Sequence, residues 1–369
     1  MADGDQDHRS TAARNRSRVI NARFLAKPVG GVPRVGVELL RALSDELVHC
    51  AAKPRLSVAT PRSVDLCQLG AQHAGRRTLG FASRVGEQLA MPLLYPRATV
   101  ISFCNATPML AADSVVWIHD AHVFDAAETY PLPYRLWHKT ILGAVRLRGF
   151  QVVTVSEFAR DRLLHYGVDP TRIRVIYNGG DHIVRTPEDS EVFGRVGLYG
   201  EPYVLLVGSP ARHKNLPFAL SALLTAPANY NIAVLGLAQS GPYQSADSLS
   251  RHPRVFILPH VTDAELRALY RSAKAVISPS LCEGFGLYAA EAMFAESGPL
   301  VLSNRAALPE VAGDAALYFD PTDAASLVDE VTAALQPAVA QRLREAARKQ
   351  REKFRWRRAA REIIQYYLS

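Results

Sequence analysis

The chain has 369 residues, enough for two domains of ordinary size, and its 48% hydrophobic content with modest aromatics suits an α/β protein that carries no window near the roughly 18 to 20 apolar residues needed to span a bilayer. Cys50, Cys67, Cys104 and Cys282 are scattered, without a Cys-x-x-Cys pair or a histidine at ligand spacing, so they imply neither a disulfide framework nor a zinc site, and a reducing cytoplasm is the simplest setting. The net charge of +8 suits an anionic partner, whether nucleotide-sugar, nucleic acid or lipid surface.

Residues 1–17 are polar, lack the apolar core of a signal peptide, and read as a disordered tail. Arg18 to Asn21 reads as a first strand. It is followed by Gly30-Gly31-Val32 and an amphipathic helix from about Val35 to Leu47. Strands are predicted over 98–102, 114–118, 151–155 and 173–176, with helices between them. This alternation predicts a doubly wound parallel sheet. The stretch 180–201 is polar and irregular and reads as the interdomain linker, with the boundary at 190/191. Beyond it the pattern repeats, with strands over 203–207, 232–235, 255–257, 274–277 and 300–302. Helices begin near Asn215, Asp263, Gly286 and Asp323. Ten basic side chains fall between Arg342 and Arg361, and residues 353–369 form a terminal helix.

The most informative stretch is Glu283-Gly284-Phe285-Gly286-Leu287-Tyr288-Ala289-Ala290-Glu291, which sets two carboxylates eight residues apart around a glycine turn that opens a helix. The apolar run Ala275-Val276-Ile277 before it reads as a short buried strand. The carboxyl end of a strand facing a helix N-terminus is where phosphates bind, because free N–H groups and the helix dipole both favour negative charge. Glu291 would fall inside the helix, suited to a neutral hydroxyl such as a ribose. Glu283 could reach another part of the same ligand. Read without their surroundings, the two glutamates are equally a cap and a solvated helix face.

This segment resembles the E-x7-E motif of the retaining GT-B glycosyltransferases of family 4. The likeness continues through Gly298-Pro299-Leu300-Val301-Leu302-Ser303-Asn304, Leu308-Pro309-Glu310-Val311-Ala312-Gly313 and Ala316-Leu317-Tyr318-Phe319-Asp320-Pro321. It implies two Rossmann-like α/β domains facing a cleft: an acceptor-binding domain over 18–190, a nucleotide-sugar-binding domain over 191–352, and a terminal helix over 353–369 returning to the first domain. It also implies that Lys214 contacts the donor diphosphate, that the backbone of Gly284, Phe285, Gly286 and Leu287 meets the phosphates, and that Glu291 bonds the ribose. Glu283 would address the donor sugar, with His260 and Val261 beside the base. The usual family arginines next to the glycine and lysine are replaced here by Ser209 and His213, which leaves Arg212 as the nearest guanidinium. In the first domain, Gly30 and Gly31 resemble the family glycine loop. Trp117-Ile118-His119-Asp120 resembles its His-Asp pair, so that His119 contacts the donor sugar and Asp120 orients it or the acceptor. Glu283, Lys214 and His119 are the expected catalytic residues.

Outside the tail, which holds Asp3-Gly4-Asp5, no Asp-x-Asp occurs of the kind metal-dependent glycosyltransferases use, so no metal and no cofactor beyond the nucleotide-sugar donor is expected. A nicotinamide dehydrogenase would need Gly-x-Gly-x-x-Gly after the first strand, which Gly30-Gly31-Val32-Pro33 does not supply. A GT-B sugar-nucleotide 2-epimerase is a nearer alternative. No nucleic-acid-binding motif is found. The opening Asn21 to Val32 is similar to bacterial members that build O-antigen or exopolysaccharide, which implies GDP-mannose as donor, a UDP-hexose second, and a glycan or lipid-linked acceptor. The basic charge with no spanning segment suggests a cytoplasmic enzyme held peripherally on the anionic inner face of the membrane.

Overall fold

The computed structural model describes residues 17–28, 30–50, 56–61, 75–79, 83–236 and 252–369. They form two compact units. One runs to Asn178 and is rejoined by Trp356–Ser369, and the other is Gly179–Arg355.

The first unit is a parallel sheet of seven strands: β1 (Arg18–Asn21), β2 (Leu56–Pro61), β3 (Gly75–Leu79), β4 (Thr99–Ser102), β5 (Asp113–Trp117), β6 (Gln151–Thr154) and β7 (Ile173–Val175), in the order β3-β2-β1-β4-β5-β6-β7. Because both faces are covered, the central strands are short apolar runs rather than alternating ones. Val19, Val100, Val116 and Val152 share one core with Ile141, Leu142 and Val145 of the helix Leu132–Arg148 and Leu163 of the helix Glu157–His165. Ser156 caps the latter helix, accepting from the Ala159 N–H at 3.0 Å. β2 and β3 fall outside the strands read from the sequence. β3 offers only Gly-Arg-Arg-Thr-Leu, in which apolar periodicity is missing.

The terminal helix Trp356–Ile363 packs on the helix Gly31–Val48 within this same unit. Glu46 accepts from Arg357 and, at 2.7 Å, from Arg361. The guanidinium of Arg174 lies 3.6 Å over the ring of Tyr366, and Tyr367 meets the buried Trp117 edge-on. Part of the C-terminal basic run is therefore spent on internal pairing.

The second unit is a parallel sheet of β8 (Tyr203–Val207), β9 (Asn231–Leu235), β10 (Val255–Ile257), β11 (Val276–Ser278), β12 (Leu300–Ser303) and β13 (Ala316–Phe319), in the order β10-β9-β8-β11-β12-β13. Its core joins Val204, Leu206, Val234, Ile277 and Val301 to Leu220 and Leu223 of the helix Leu216–Thr225 and Val331 of the helix Ala324–Ala334. The stretch 180–201 is no irregular linker. It holds a 3-10 turn, Asp181–Val184, and a helix, Glu191–Val196, and belongs to the second unit from Gly179 onward. Ile183 and Val192 are fully buried there, two anchors that the polar average of the segment conceals.

In each sheet the strand order reverses once, between β1 and β4 and again between β8 and β11. In open α/β sheets such reversals are where ligands usually bind, outside the carboxyl ends of the strands. Among the described residues no helix is long and apolar enough to cross a membrane.

Candidate active site

At the reversal in the second unit, β8 runs into Gly208 and the 3-10 turn Arg212–Lys214, while β11 runs into Pro279 and Ser280 and on to Glu283. The two loops are tied by the Leu281 N–H donating to the His213 carbonyl at 2.7 Å. This tie brings Lys214 Nζ to 2.6 Å from Glu283 Oε1. Both side chains are largely buried, at 20% and 10% exposure, so the pair is screened less than a surface ion pair. Tyr288 OH donates to the same Glu283 oxygen at 3.2 Å and accepts from Ser278 Oγ at 2.6 Å. Burial first, then the neighbouring Glu283 charge, pushes the Tyr288 phenol well above its usual range, so it acts as a neutral donor.

The helix Leu287–Phe294 begins immediately after Gly286. Gly286 has φ +82°, and a Cβ there would come within 2.6 Å of Leu308 Cδ2, so both backbone conformation and space require glycine. The helix thus opens four residues after Glu283, and its first-turn Tyr288 reaches back to that carboxylate. Phe285 contributes only backbone here, since its ring is buried edge-on against Phe354 with centroids 5.5 Å apart.

Glu291 lies one turn further in, 8% exposed. One carboxylate oxygen is 3.1 Å from His182 Nε2 and the other accepts from Tyr270 OH at 3.1 Å. The approach of His182 depends on Gly180, where a Cβ would stand 2.6 Å from the Ala290 carbonyl carbon. Burial, then Glu291, pushes the Tyr270 phenol well above its usual range. The sequence reading missed His182, Tyr270, Tyr288 and Ser278. Tyr288 and Ser278 lie in or beside the E-x7-E run and could have been taken with it. His182 was hidden in the supposed linker, and Tyr270 in an amphipathic helix whose apolar stripe accounts for it without a ligand.

Arg212 is exposed and forms no ion pair among the described residues. His260 and Val261 follow β10 and precede the helix Asp263–Ser272, which Thr262 and Glu265 close with a reciprocal cap. Among the described residues no group of three or more His, Cys, Asp or Glu side chains is arranged to hold a metal ion.

The remaining expected residues belong to the first unit. Gly30, extended at φ 171°, precedes the helix Gly31–Val48, and Gly31 has φ +43° with open space where a Cβ would stand. His119 follows β5. Its backbone N–H donates to Asn105 Oδ1 at 2.8 Å, and its Nε2 is 2.7 Å from the Phe103 carbonyl. A carbonyl only accepts, so Nε2 carries the proton. Burial holds His119 below the ordinary histidine range, opposed by the Phe103 carbonyl and by Asp120. The imidazole is thus a neutral ring with Nδ1 as acceptor, suited to a sugar hydroxyl rather than to supplying positive charge. Asp120 accepts from the His122 N–H at 3.0 Å.

Comparison with known proteins agrees with this architecture. The family model described as Glycosyltransferase Family 4 matches residues 29–184, and that described as Glycosyl transferases group 1 matches 188–350. The O-antigen chain mannosyltransferase B of Escherichia coli is 29% identical over 238 residues, 60% of this chain and 61% of that protein. The O-antigen chain mannosyltransferase RfbU of Salmonella typhimurium is 28% identical, with 58% of each chain covered. The match thus spans about three fifths of the length of these curated relatives. Anabaena Alr3699/HepE, solved in complex with UDP-glucose, superposes with a TM-score of 0.72 at 16% identity, over 94% of this chain and 98% of that one, which supports the GT-B fold. The two models, matched in turn over 29–184 and 188–350, together span most of the chain and place it among the glycosyltransferases of family 4.

Proposed function

We propose that the chain is a retaining hexosyltransferase that moves a sugar from a nucleotide diphosphate to a hydroxyl of a glycan or lipid-linked acceptor in polysaccharide synthesis, without a metal ion. The observation that carries this reading is the Lys214–Glu283 contact at the carboxyl ends of β8 and β11, beside the glycine-opened start of the helix Leu287–Phe294. An ammonium and free helix N–H groups are what a departing diphosphate needs, and a buried carboxylate can orient the sugar hydroxyls. Glu291, held by His182 and Tyr270, offers its oxygens to the ribose. Arg212, His260 and Val261 are assigned to the diphosphate and base, and His119 with Gly30 and Gly31 to the donor, on the strength of the family likeness.

GDP-mannose is the first choice of donor, because the relatives above are named as mannosyltransferases. A UDP-hexose is second, since a similar fold was solved with UDP-glucose. The acceptor oxygen bonds to the anomeric carbon on the face from which the diphosphate oxygen leaves. The C–O bond to phosphate breaks with its electron pair on the leaving group, and the acceptor proton passes to a phosphate oxygen. No enzyme nucleophile is used, because both glutamates are engaged in binding.

Incubation with GDP-mannose and with UDP-glucose, followed by assignment of anomeric configuration in the product, tests this reading. An inverted product, or no transfer from any nucleotide-sugar, would remove it. Peripheral attachment to anionic membrane is proposed alongside, at about 1 kcal/mol per well-placed basic residue. Co-sedimentation with anionic liposomes that is lost at high salt is expected. Equal recovery in the supernatant at all lipid compositions would point to a soluble acceptor instead.

A further inference from the structure

The reversal point of the first sheet holds a cavity of about 140 Å³, room for on the order of ten water-sized spheres, at the carboxyl ends of β1 and β4. Three cations line it: Arg23, Lys27 and Arg84. One carboxylate, Glu87, faces them, and it is spent on Arg23, whose Nε lies 2.8 Å from Glu87 Oε2, and on the Asn21 amide. No carboxylate among the described residues lies within ion-pair distance of Lys27 or Arg84. Cys104, also in the lining, has its thiol pushed up to about 12 by burial and adds no negative charge. Partial burial, then the Arg23 and Arg84 charges, lowers the Lys27 ammonium, against the opposing pull of Cys104 and Glu87. With three cations and one carboxylate, the described lining carries about two uncompensated positive charges.

Its wall is aromatic. Arg84 lies 5.9 Å from the Tyr134 ring centre and 5.6 Å from that of Trp137, contacts that hold the guanidinium in place. A second cavity of about 160 Å³ shares Val32, Asn105, Tyr134 and His138 with the first and adds Asp120 and the Tyr130 ring, which stacks on Tyr134 at 5.3 Å. The first chamber suits a dianion. The adjoining one, with an amide, a carboxylate and stacked rings, suits a neutral polyhydroxylated ring.

We propose that this pair of chambers in the first unit binds a phosphorylated hexose, the phosphoryl group on Arg23, Lys27 and Arg84 and the sugar ring beside Asp120 and Tyr134. This rests on the transferase reading and narrows its acceptor to a sugar that carries a phosphate or diphosphate. The same chemistry is offered by a free hexose phosphate and by a hexose on an isoprenoid diphosphate.

Calorimetric titration of the full chain separates these cases, with mannose, mannose 1-phosphate and a short-chain farnesyl diphosphate mannose as probes. GDP and UDP are titrated in parallel as reporters of the donor site. The inference requires a phosphorylated probe to bind at least tenfold more tightly than mannose. Lys27→Gln and Arg84→Gln, both exposed and outside the donor site, should each weaken that binding about tenfold, as loss of a charge-assisted contact does, with nucleotide binding and melting temperature unchanged. Tighter binding of the farnesyl probe identifies a lipid-linked acceptor, and tighter binding of mannose 1-phosphate a soluble one. Phosphorylated probes that bind no better than mannose, or equally well to Lys27→Gln/Arg84→Gln, overturn the inference. Failure of both nucleotides to bind counts against the donor site alone.

Discussion

His182 Nε2 stands 3.1 Å from Glu291 Oε1, while Tyr270 OH holds the other carboxylate oxygen. A glutamate with both oxygens engaged by a buried ring and a buried phenol is fixed in one rotamer before any ligand arrives, which lowers the ordering cost of binding. Glu291→Ala should therefore act on donor affinity, raising the nucleotide dissociation constant about tenfold with a smaller change in turnover at saturating donor. His182→Ala should weaken nucleotide binding in the same direction and cost about 1–3 kcal/mol of stability through the lost buried contact. Nucleotide titration and urea unfolding of the two variants check this. Wild-type affinity in both would detach Glu291 from the ribose.

Lys214 and Glu283 form one electrostatic unit, so their variants should not combine additively. Lys214→Ala and Glu283→Ala should each reduce turnover by about 10²-fold or more, and the double variant should be little worse than the worse single one. Near wild-type rates with saturating donor, in variants whose circular dichroism is native, would show that the chemistry lies elsewhere.

If Lys214 and helix N–H groups neutralise the leaving diphosphate, transfer should proceed at full rate in excess EDTA. Rates measured before and after chelation, then with added manganese or magnesium, settle the point. A loss on chelation that either ion restores would put a metal at the diphosphate.

The neutrality of His119 sets a pH dependence. Its folded pKa is depressed below the ordinary value of about 6.5, so the unfolded chain takes up the proton first as pH falls. Stability is complete above about pH 6.5 and declines from there down to the folded pKa, by at most about 1.4 kcal/mol per pH unit. His138, lowered mainly by burial, adds the same sign. His119→Asn should flatten the fall in melting temperature between pH 6.5 and 5. An unchanged slope would mean that the ring is charged in the folded state.

Gly286 combines a left-handed backbone with a Leu308 methyl 2.6 Å from any added Cβ. Gly286→Ala should cost about 1–3 kcal/mol and weaken nucleotide binding together, since the same turn aims the N–H groups of the helix. A variant that loses neither would show that the turn relaxes freely.

Much of this protein was legible in one dimension. Parallel strands buried on both faces are short apolar runs, so β1, β4, β5, β6, β8 and β12 could be read from the sequence to within about a residue at either end, and the glycine turn before Leu287 marked the start of the helix that follows β11. Tertiary structure decided what local pattern does not encode. Asp181–Val184 and Glu191–Val196 read as linker because their composition is polar, yet the buried Ile183 and Val192 fasten them to the second unit, and that docking delivers His182 to Glu291. The charge of His119 likewise depends on a carbonyl sixteen residues away in sequence and on desolvation. Lys214 and Glu283 are 69 residues apart, and only the adjacency of β8 and β11 makes them a pair. Periodicity and glycine report local backbone preference. Which side chains meet, and in what dielectric, follows from how the sheet orders its strands, and that is settled by packing over the whole chain.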